Sequence, residues 1–181
     1  MGLDMYLHRK CYLSGIDEEK PEITIKSKKL SKEQTERVSD IHFEEIYWRK
    51  ANHIHNWFVN NVQAGIDDCG EYIVSRAKLE KLRDVCKQVI DEVELKEGKI
   101  LSYEIFTDGK RKKVFEKGKV IKNPEICEEL LPCTSGFFFG GTDYDEYYYN
   151  ETKRTHDKLE RILNEEEIGD YGDNFYYHSS W

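Results

Sequence analysis

The N-terminal end of the sequence shows strict alternation of its apolar residues. Leu3, Met5 and Leu7 are each separated by one residue, and this period of two is typical of a β-strand with a single buried face. The segment 174–181 is aromatic and also alternates. We therefore predict a strand at the start of the chain and another that adds to the same sheet near residue 180.

Much of the chain between these segments has helical periodicity. A helical pattern begins at Ser31, and a stronger one covers about 47–63, where apolar residues recur every three or four positions and Gly65 ends the helix as a left-handed cap. Ser75 is a good N-cap for a further helix. The apolar stripe of that helix consists of Leu79, Leu82, Cys86, Val89 and Val93.

Two more helices are predicted in the second half of the chain. Asn123 and Pro124 suit the cap and first position of a short helix through Leu131. Thr142 or Asp143 is the predicted cap of a long final helix. Its inward stripe includes Tyr148, Thr152, Thr155, Leu159 and Ile162.

Two segments between the helices are predicted to be extended. Residues 134–139, with three consecutive Phe residues, form the most apolar candidate strand, and residues 98–122 suggest a charged, peripheral β-meander with tight turns. The resulting fold class is α+β. We expect one domain over 1–181, in which a small, mostly antiparallel sheet of N-terminal, central Phe-rich and C-terminal strands is packed by three to four helices.

Composition narrows the range of partners. The net charge of −8 and the pI of about 5.4 argue against broad nucleic-acid binding, and the basic run Lys110–Lys113 is interpreted as a solvated hairpin. The five cysteines are odd in number and form no CxxC pair, which is typical of reduced thiols. Without a signal-peptide pattern or an apolar run of membrane-spanning length, we expect a cytoplasmic protein that does not enter the membrane.

The strongest candidate site is a polar stripe on the helix predicted at 47–63. Arg49, Asn52 or His53, Asn56 and Asn60 share a face, and these side chains form directional hydrogen bonds where a solvated face would favour Lys and Glu. Such a set suits an anionic or heteroaromatic ligand. It is equally open to a structural interpretation, in which these side chains bond loop backbone. The predicted ligand-binding residues are Trp48, Arg49, Lys50, Asn52, His53, Asn56, Trp57, Phe138 and Tyr144.

Other chemical possibilities are weaker. Gly140, Gly141 and Thr142 could cradle a phosphate before a helix, but the acids that follow favour a simple dipole role. His53 and His55 point about 200° apart on a helix and cannot share a metal ion. No pattern identifies a catalytic residue, a metal or a cofactor.

Several longer segments together resemble a family of small phage and prophage proteins without assigned chemistry. These segments are Met1–Leu7, Tyr47–Asn52, Ile54–Val59, Cys69–Tyr72, Ser135–Gly140, Thr142–Glu146 and Phe175–Trp181. The 98–122 region is a longer insert than is associated with that family. Because small accessory phage proteins often counter host defences, the resemblance implies an anti-defence role, such as sequestering a nucleotide-derived immune signal in the host cytoplasm.

Three functional hypotheses follow. The first is a non-enzymatic protein that captures a small anionic, nucleotide-like ligand. The second is an inhibitor whose acidic surface occupies a basic site on a host protein. The third is an enzyme that modifies or cleaves a nucleotide. A homo-oligomer is compatible with each of them.

Overall fold

The computed structural model describes residues 2–13, 22–25, 34–37, 39–107, 110–166 and 173–181. Helices and antiparallel sheets are both present, which confirms the α+β class. The strands are β1 (Asp4–Tyr12), β2 (Glu22–Ile25), β3 (Gln34–Arg37), β4 (Asp40–Arg49), β5 (Glu71–Val74), β6 (Leu95–Thr107), β7 (Lys110–Ile121) and β8 (Asp173–Ser180). The helices are α1 (Asn52–Asn61), α2 (Arg76–Glu92), α3 (Glu125–Leu130) and α4 (Glu146–Asn164).

The main sheet has the strand order β4-β1-β8-β5, and every neighbouring pair is antiparallel. Its inner face carries the alternating apolar residues of β1, which are fully buried as predicted. Helices cover this face: the Phe58 ring of α1 stacks on Tyr177 of β8 at 3.9 Å, and the Trp48 indole of β4 donates to Thr155 Oγ1 of α4 at 2.8 Å. The C-terminal strand was therefore predicted correctly, and it lies inside the sheet.

The helical prediction from Ser31 was wrong where the structure describes that segment, since Gln34–Arg37 is strand β3, and the helix predicted at 47–63 begins later than expected. Residues 40–49 form β4, which pairs along its length with β1, and α1 begins only at Asn52. The apolar residues of 47–63 fit a helical period, but hydrogen bonding to β1 holds the first of them extended. Part of the segment from Ser31, namely 31–33 and 38, lies outside the described residues.

The Phe-rich segment is not a strand. Phe137 and Phe138 form a turn, Phe138 has φ = 70°, and the amide of Phe139 donates to the carbonyl of Gly136 at 3.3 Å. The Phe139 ring lies against Gly136, where a Cβ would meet it at 2.6 Å. Only Phe139 of the three enters the core, so this segment adds no strand to the sheet.

The N-cap of α2 is the predicted residue, whereas the N-cap of α4 is not. Ser75 caps α2 and accepts from the amide of Lys78. For α4 the cap is Asp145, two positions after the predicted Asp143, and it accepts from the amides of Tyr147 and Tyr148. None of the helices in the described ranges is long and apolar enough to cross a membrane.

The predicted meander at 98–122 is one long two-stranded hairpin, formed by β6 and β7. Gly118 lies within β7, directly opposite Gly98 of β6. The side chains of Val120 and Ile100 fill the space that Cβ atoms at these two glycines would need. Pairing therefore continues through the glycines without a turn.

Candidate functional site

A cleft of about 940 Å³ lies between the end of β4, the loop before α4, the first turns of α4 and strand β6. The first turns of α4 present one face to it, because Tyr147, Glu151 and Arg154 are spaced by four and three residues. The volume is within the range of small-molecule sites. The side chains around it form a basic corner, a set of tyrosines and a group of carboxylates.

The basic corner is formed where β4 ends. Lys50 has φ = 57°, and its amide donates to the carbonyl of Leu3 at 2.7 Å, which fixes the strained backbone. Gly140 lies against it, so that a Cβ at Gly140 would be 3.1 Å from the Lys50 Cβ. The Lys50 ammonium is exposed and has no hydrogen bond or ion pair with any described residue. It is available to an anion.

Arg49 lies beside Lys50 and also faces the cleft. Its guanidinium contacts Asp4 Oδ1 at 3.1 Å, and the Tyr47 hydroxyl donates to the same oxygen at 2.5 Å. The Arg49 side chain remains 57% exposed. An exposed ion pair of this kind contributes little to stability, so Arg49 can turn toward an anionic ligand at small cost.

Three tyrosines supply aromatic surface. Tyr47, Tyr103 and Tyr147 all line the cleft and are more than one-third exposed. The Tyr147 hydroxyl donates to the carbonyl of Arg49, which ties α4 to β4. Burial, reinforced by the Glu151 charge, raises the pKa of Tyr147 to about 12. Its phenol therefore stays protonated and neutral at physiological pH.

The carboxylates of the cleft differ in whether they already have hydrogen-bond or ion-pair partners. Asp145 caps α4, and burial raises its pKa above the usual range. Glu151 pairs with Arg154 at 2.8 Å, while Arg154 also donates to the carbonyl of Tyr47. Asp143 is exposed and has no partner among the described residues. The cleft thus has a free cation at Lys50 and a free carboxylate at Asp143.

A β-bulge shapes the wall that β6 contributes. Leu101 is paired with Phe115 and Tyr103 with Val114, so Ser102 is an extra residue without a partner. Side chains in a regular strand alternate between faces, yet Leu101, Ser102 and Tyr103 all line the cleft. The bulge makes this possible, and bulges recur beside binding sites for this reason.

The structure separates the nine predicted site residues. Arg49 and Lys50 lie together at the cleft. Asn52 is buried and bonds to the carbonyls of Phe139 and Gly141, and Asn56 donates to the carbonyl of Pro132. These two amides hold the loop before α4, as the structural interpretation of the stripe predicts.

His53 is also an interior residue. Because the Thr152 hydroxyl donates its proton to the Tyr148 carbonyl, its oxygen accepts from His53 Nε2 at 3.2 Å. Burial lowers the pKa of His53 to about 3, so the ring is neutral. Its neighbour His55 contacts the Tyr177 hydroxyl and Asp67 instead.

The aromatic members of the prediction lie away from the cleft as well. Trp48 and Trp57 are core residues, and the Tyr144 hydroxyl oxygen accepts from the amide of Cys133 at 3.4 Å. Phe138 is half-exposed on the turn that precedes Gly140. None of the four is among the cleft-lining residues. Our functional proposal accordingly uses Arg49 and Lys50 and omits the other seven.

The sequence interpretation missed most of the cleft. Tyr47, Tyr103 and Tyr147 come from three separate elements, and no local spacing connects them. Gly140 and Gly141 were noted as a weak phosphate cradle, and both line the cleft. Together with Arg49 and Lys50, these glycines are the predicted candidates that lie at the cleft.

Comparison with known protein families, with curated proteins and with solved structures gave no match to this chain. Within the described ranges, no group of three or more His, Cys, Asp or Glu side chains could hold a metal ion. The cleft's own geometry is therefore the basis for a functional proposal.

Proposed function

We propose that this protein binds, without turnover, a small anionic ligand that carries an aromatic ring and has the size of a nucleotide. The observation that carries the proposal is the exposed Lys50 ammonium, which is held at the cleft by a strained backbone and has no partner among the described residues. Strained residues of this type cluster at ligand sites. A lysine there serves as a point charge for phosphate.

The rest of the cleft complements the other parts of such a ligand. Arg49 adds a second cation, and its planar guanidinium can bond a phosphate with two parallel hydrogen bonds. Tyr47, Tyr103 and Tyr147 provide neutral rings for stacking on a base. Asp143 can accept from an exocyclic amine or a ribose hydroxyl. A nucleotide or a nucleotide-derived signal carries anionic groups, hydrogen-bond donors and an aromatic ring in one molecule.

Binding without turnover is favoured by how the cleft's carboxylates are used. Asp145 is committed to capping α4, and Glu151 to Arg154. A protein that sequesters a signal must bind it tightly and has no need to catalyse a reaction on it. Together with the resemblance to small phage proteins, this supports an anti-defence role in which the ligand is a nucleotide-derived immune signal of the host.

The proposal is tested by calorimetry against a panel of mononucleotides, cyclic mono- and dinucleotides and ADP-ribose. We expect at least one ligand to bind, and Lys50→Ala and Arg49→Ala each to weaken it about tenfold, as loss of a charged hydrogen bond predicts. Lys87→Ala, an exposed lysine on α2 whose partner is Asp91, is the matched control. Unchanged binding in both cleft variants would overturn the proposal.

The same samples distinguish the alternative functions. Chromatography of the incubated ligand shows whether product accumulates. Slow turnover that Asp143→Asn abolishes would favour a nucleotide-modifying enzyme. If no member of the panel binds, the assignment to a nucleotide-like ligand is wrong.

A further inference from the structure

The β6–β7 hairpin is long, and its distal half is open to solvent. Its thirteen-residue strand β6 spans about 40 Å at the usual rise. A backbone hydrogen bond from Ile121 to the Tyr144 carbonyl attaches its base to the segment before α4, and one from Lys122 to the Glu94 carbonyl closes the base of the hairpin. Toward the tip, Phe106 is 72% exposed. We refer to residues 95–121 as the arm.

The arm exposes apolar side chains on both of its faces. Cross-strand register places Tyr103 and Ile105 on one face, and Phe106 and Phe115 on the other. All four are more than one-third exposed. A two-stranded hairpin without a covering layer is only marginally stable in water, and clustered exposed apolar residues mark interaction surfaces. The arm has the composition of an element that docks.

The charge of the arm indicates the kind of surface on which it can dock. The arm contains eight Lys and Arg but four Asp and Glu, whereas the whole chain contains 28 and 36. The rest of the chain therefore carries twelve more acids than bases. Near the tip, Lys110 and Lys112 are exposed and have no ion pair with a described residue. An acidic protein surface complements the arm.

Such a surface lies directly after the arm in the chain. Glu125, Glu128 and Glu129 are exposed on α3, and Glu146 lies at the start of α4. None of these four has an ion pair or a side-chain hydrogen bond with a described residue. We call them the α3 patch. Because it adjoins the base of the arm, it lies about one arm length from Lys110 of the same chain.

We propose that the arm docks on the α3 patch of a second copy of this chain, and that the two copies exchange arms in a two-fold dimer. Lys110 and Lys112, near the tip, then meet carboxylates that lie about one arm length away in their own chain, and the partner covers Phe106 and Phe115. A nucleic acid is the less favoured occupant, because the acidic remainder of the chain repels a polyanion. The arrangement is isologous, so each copy contributes one arm and one patch.

The experiment measures dimerisation of the full chain by sedimentation velocity between about 1 and 100 µM, in low and high salt. We expect a dimer that weakens with salt. Lys110→Glu/Lys112→Glu should raise its dissociation constant at least about tenfold, which is about 1.4 kcal/mol. Lys87→Glu/Lys153→Glu, on α2 and α4, is the charge-matched control and should dimerise like the wild type.

Reversing the charges of both the arm and the α3 patch tests whether these two surfaces contact each other. Glu128→Lys/Glu129→Lys should also lose the dimer, while an equal mixture of the arm variant and the patch variant should restore it as a heterodimer. Circular dichroism confirms that each variant is folded.

A monomer at every concentration, or a dimer that the arm variant leaves unchanged, overturns the proposal. So does salt-sensitive binding of labelled duplex DNA by a monomeric wild type when the arm variant lacks it. Because ligand binding is measured separately at the cleft, failure here leaves the proposed function intact.

Discussion

Gly140 and Lys50 occupy adjoining space, since a Cβ at Gly140 would be 3.1 Å from the Lys50 Cβ. Gly140 also has φ = 93°, a conformation that a side chain strains. We predict that Gly140→Ala lowers the free energy of unfolding by about 1–3 kcal/mol and displaces Lys50. Urea denaturation and ligand calorimetry measure the two effects. Gly141→Ala is the control, because a Cβ there meets nothing within 4 Å.

Lys50→Gly, in the same basic corner, should change stability and ligand affinity in opposite directions. Lys50→Gly relieves the cost of φ = 57° at a residue with a side chain, so we expect the free energy of unfolding to rise by about 1 kcal/mol. It also removes the free cation, so ligand affinity should fall about tenfold. A variant that is both less stable and equally competent to bind would contradict the role given to Lys50.

The bulge at Ser102 can be removed without altering the pairs that flank it. Deletion of Ser102 leaves Leu101 opposite Phe115 and Tyr103 opposite Val114. We therefore expect the hairpin to persist, as amide exchange would show. The cleft wall loses its irregular shape, and affinity for the ligand should drop at least about tenfold. Retained affinity would show that the bulge plays no part in binding.

His53 should make the fold sensitive to mild acid. Its pKa is lowered to about 3 by burial, while an unfolded histidine titrates near 6.5. Between these values the unfolded state binds more protons, so stability falls as pH decreases below about 6.5, by up to about 1.4 kcal/mol per pH unit. From pH 7 to 5, wild type should lose about 2 kcal/mol more than His53→Gln in urea titrations. Equal losses would contradict this source of the pH dependence.

Gln63 is a buried amide, only 1% exposed, whose Nε2 and Oε1 atoms have no hydrogen-bond partner among the residues that the structure describes. Leaving both atoms unsatisfied costs free energy, and an apolar group of similar shape avoids that cost. We expect Gln63→Met to raise the free energy of unfolding by about 1 kcal/mol, as measured by urea denaturation. Gln88→Met, on the exposed surface of α2, should have no effect. A loss of stability would indicate that the amide has a structural partner.

Local sequence patterns correctly predicted elements that a regular apolar spacing or a capping residue defines. The alternation of Leu3, Met5 and Leu7 gave β1, and Ser75 gave the start of α2. The boundary between β4 and α1 could not be predicted in this way. Trp48 is apolar at a position that suits a helix and a strand equally, and only its pairing with Met5 decides between them.

The candidate site was predictable only in part, for a related reason. Arg49 was selected as a member of a polar helical stripe and Lys50 as the cation beside it, and they reach the cleft because β4 ends at Arg49. Tyr103 reaches the same cleft through a bulge on a strand that begins more than forty residues later. Long-range packing brings these residues together, and periodicity within a segment carries no information about it.

The position of β8 in the sheet has a consequence for how the protein is made. β1 pairs with β8 from Asp4, opposite Ser180, to Cys11, opposite Asp173. During translation, β1 therefore lacks one of its neighbours until residue 180 has left the ribosome. Until then the N-terminal strand carries an open hydrogen-bonding edge beside its apolar side chains, which is a template for aggregation. The edge is covered only when β8 pairs with β1.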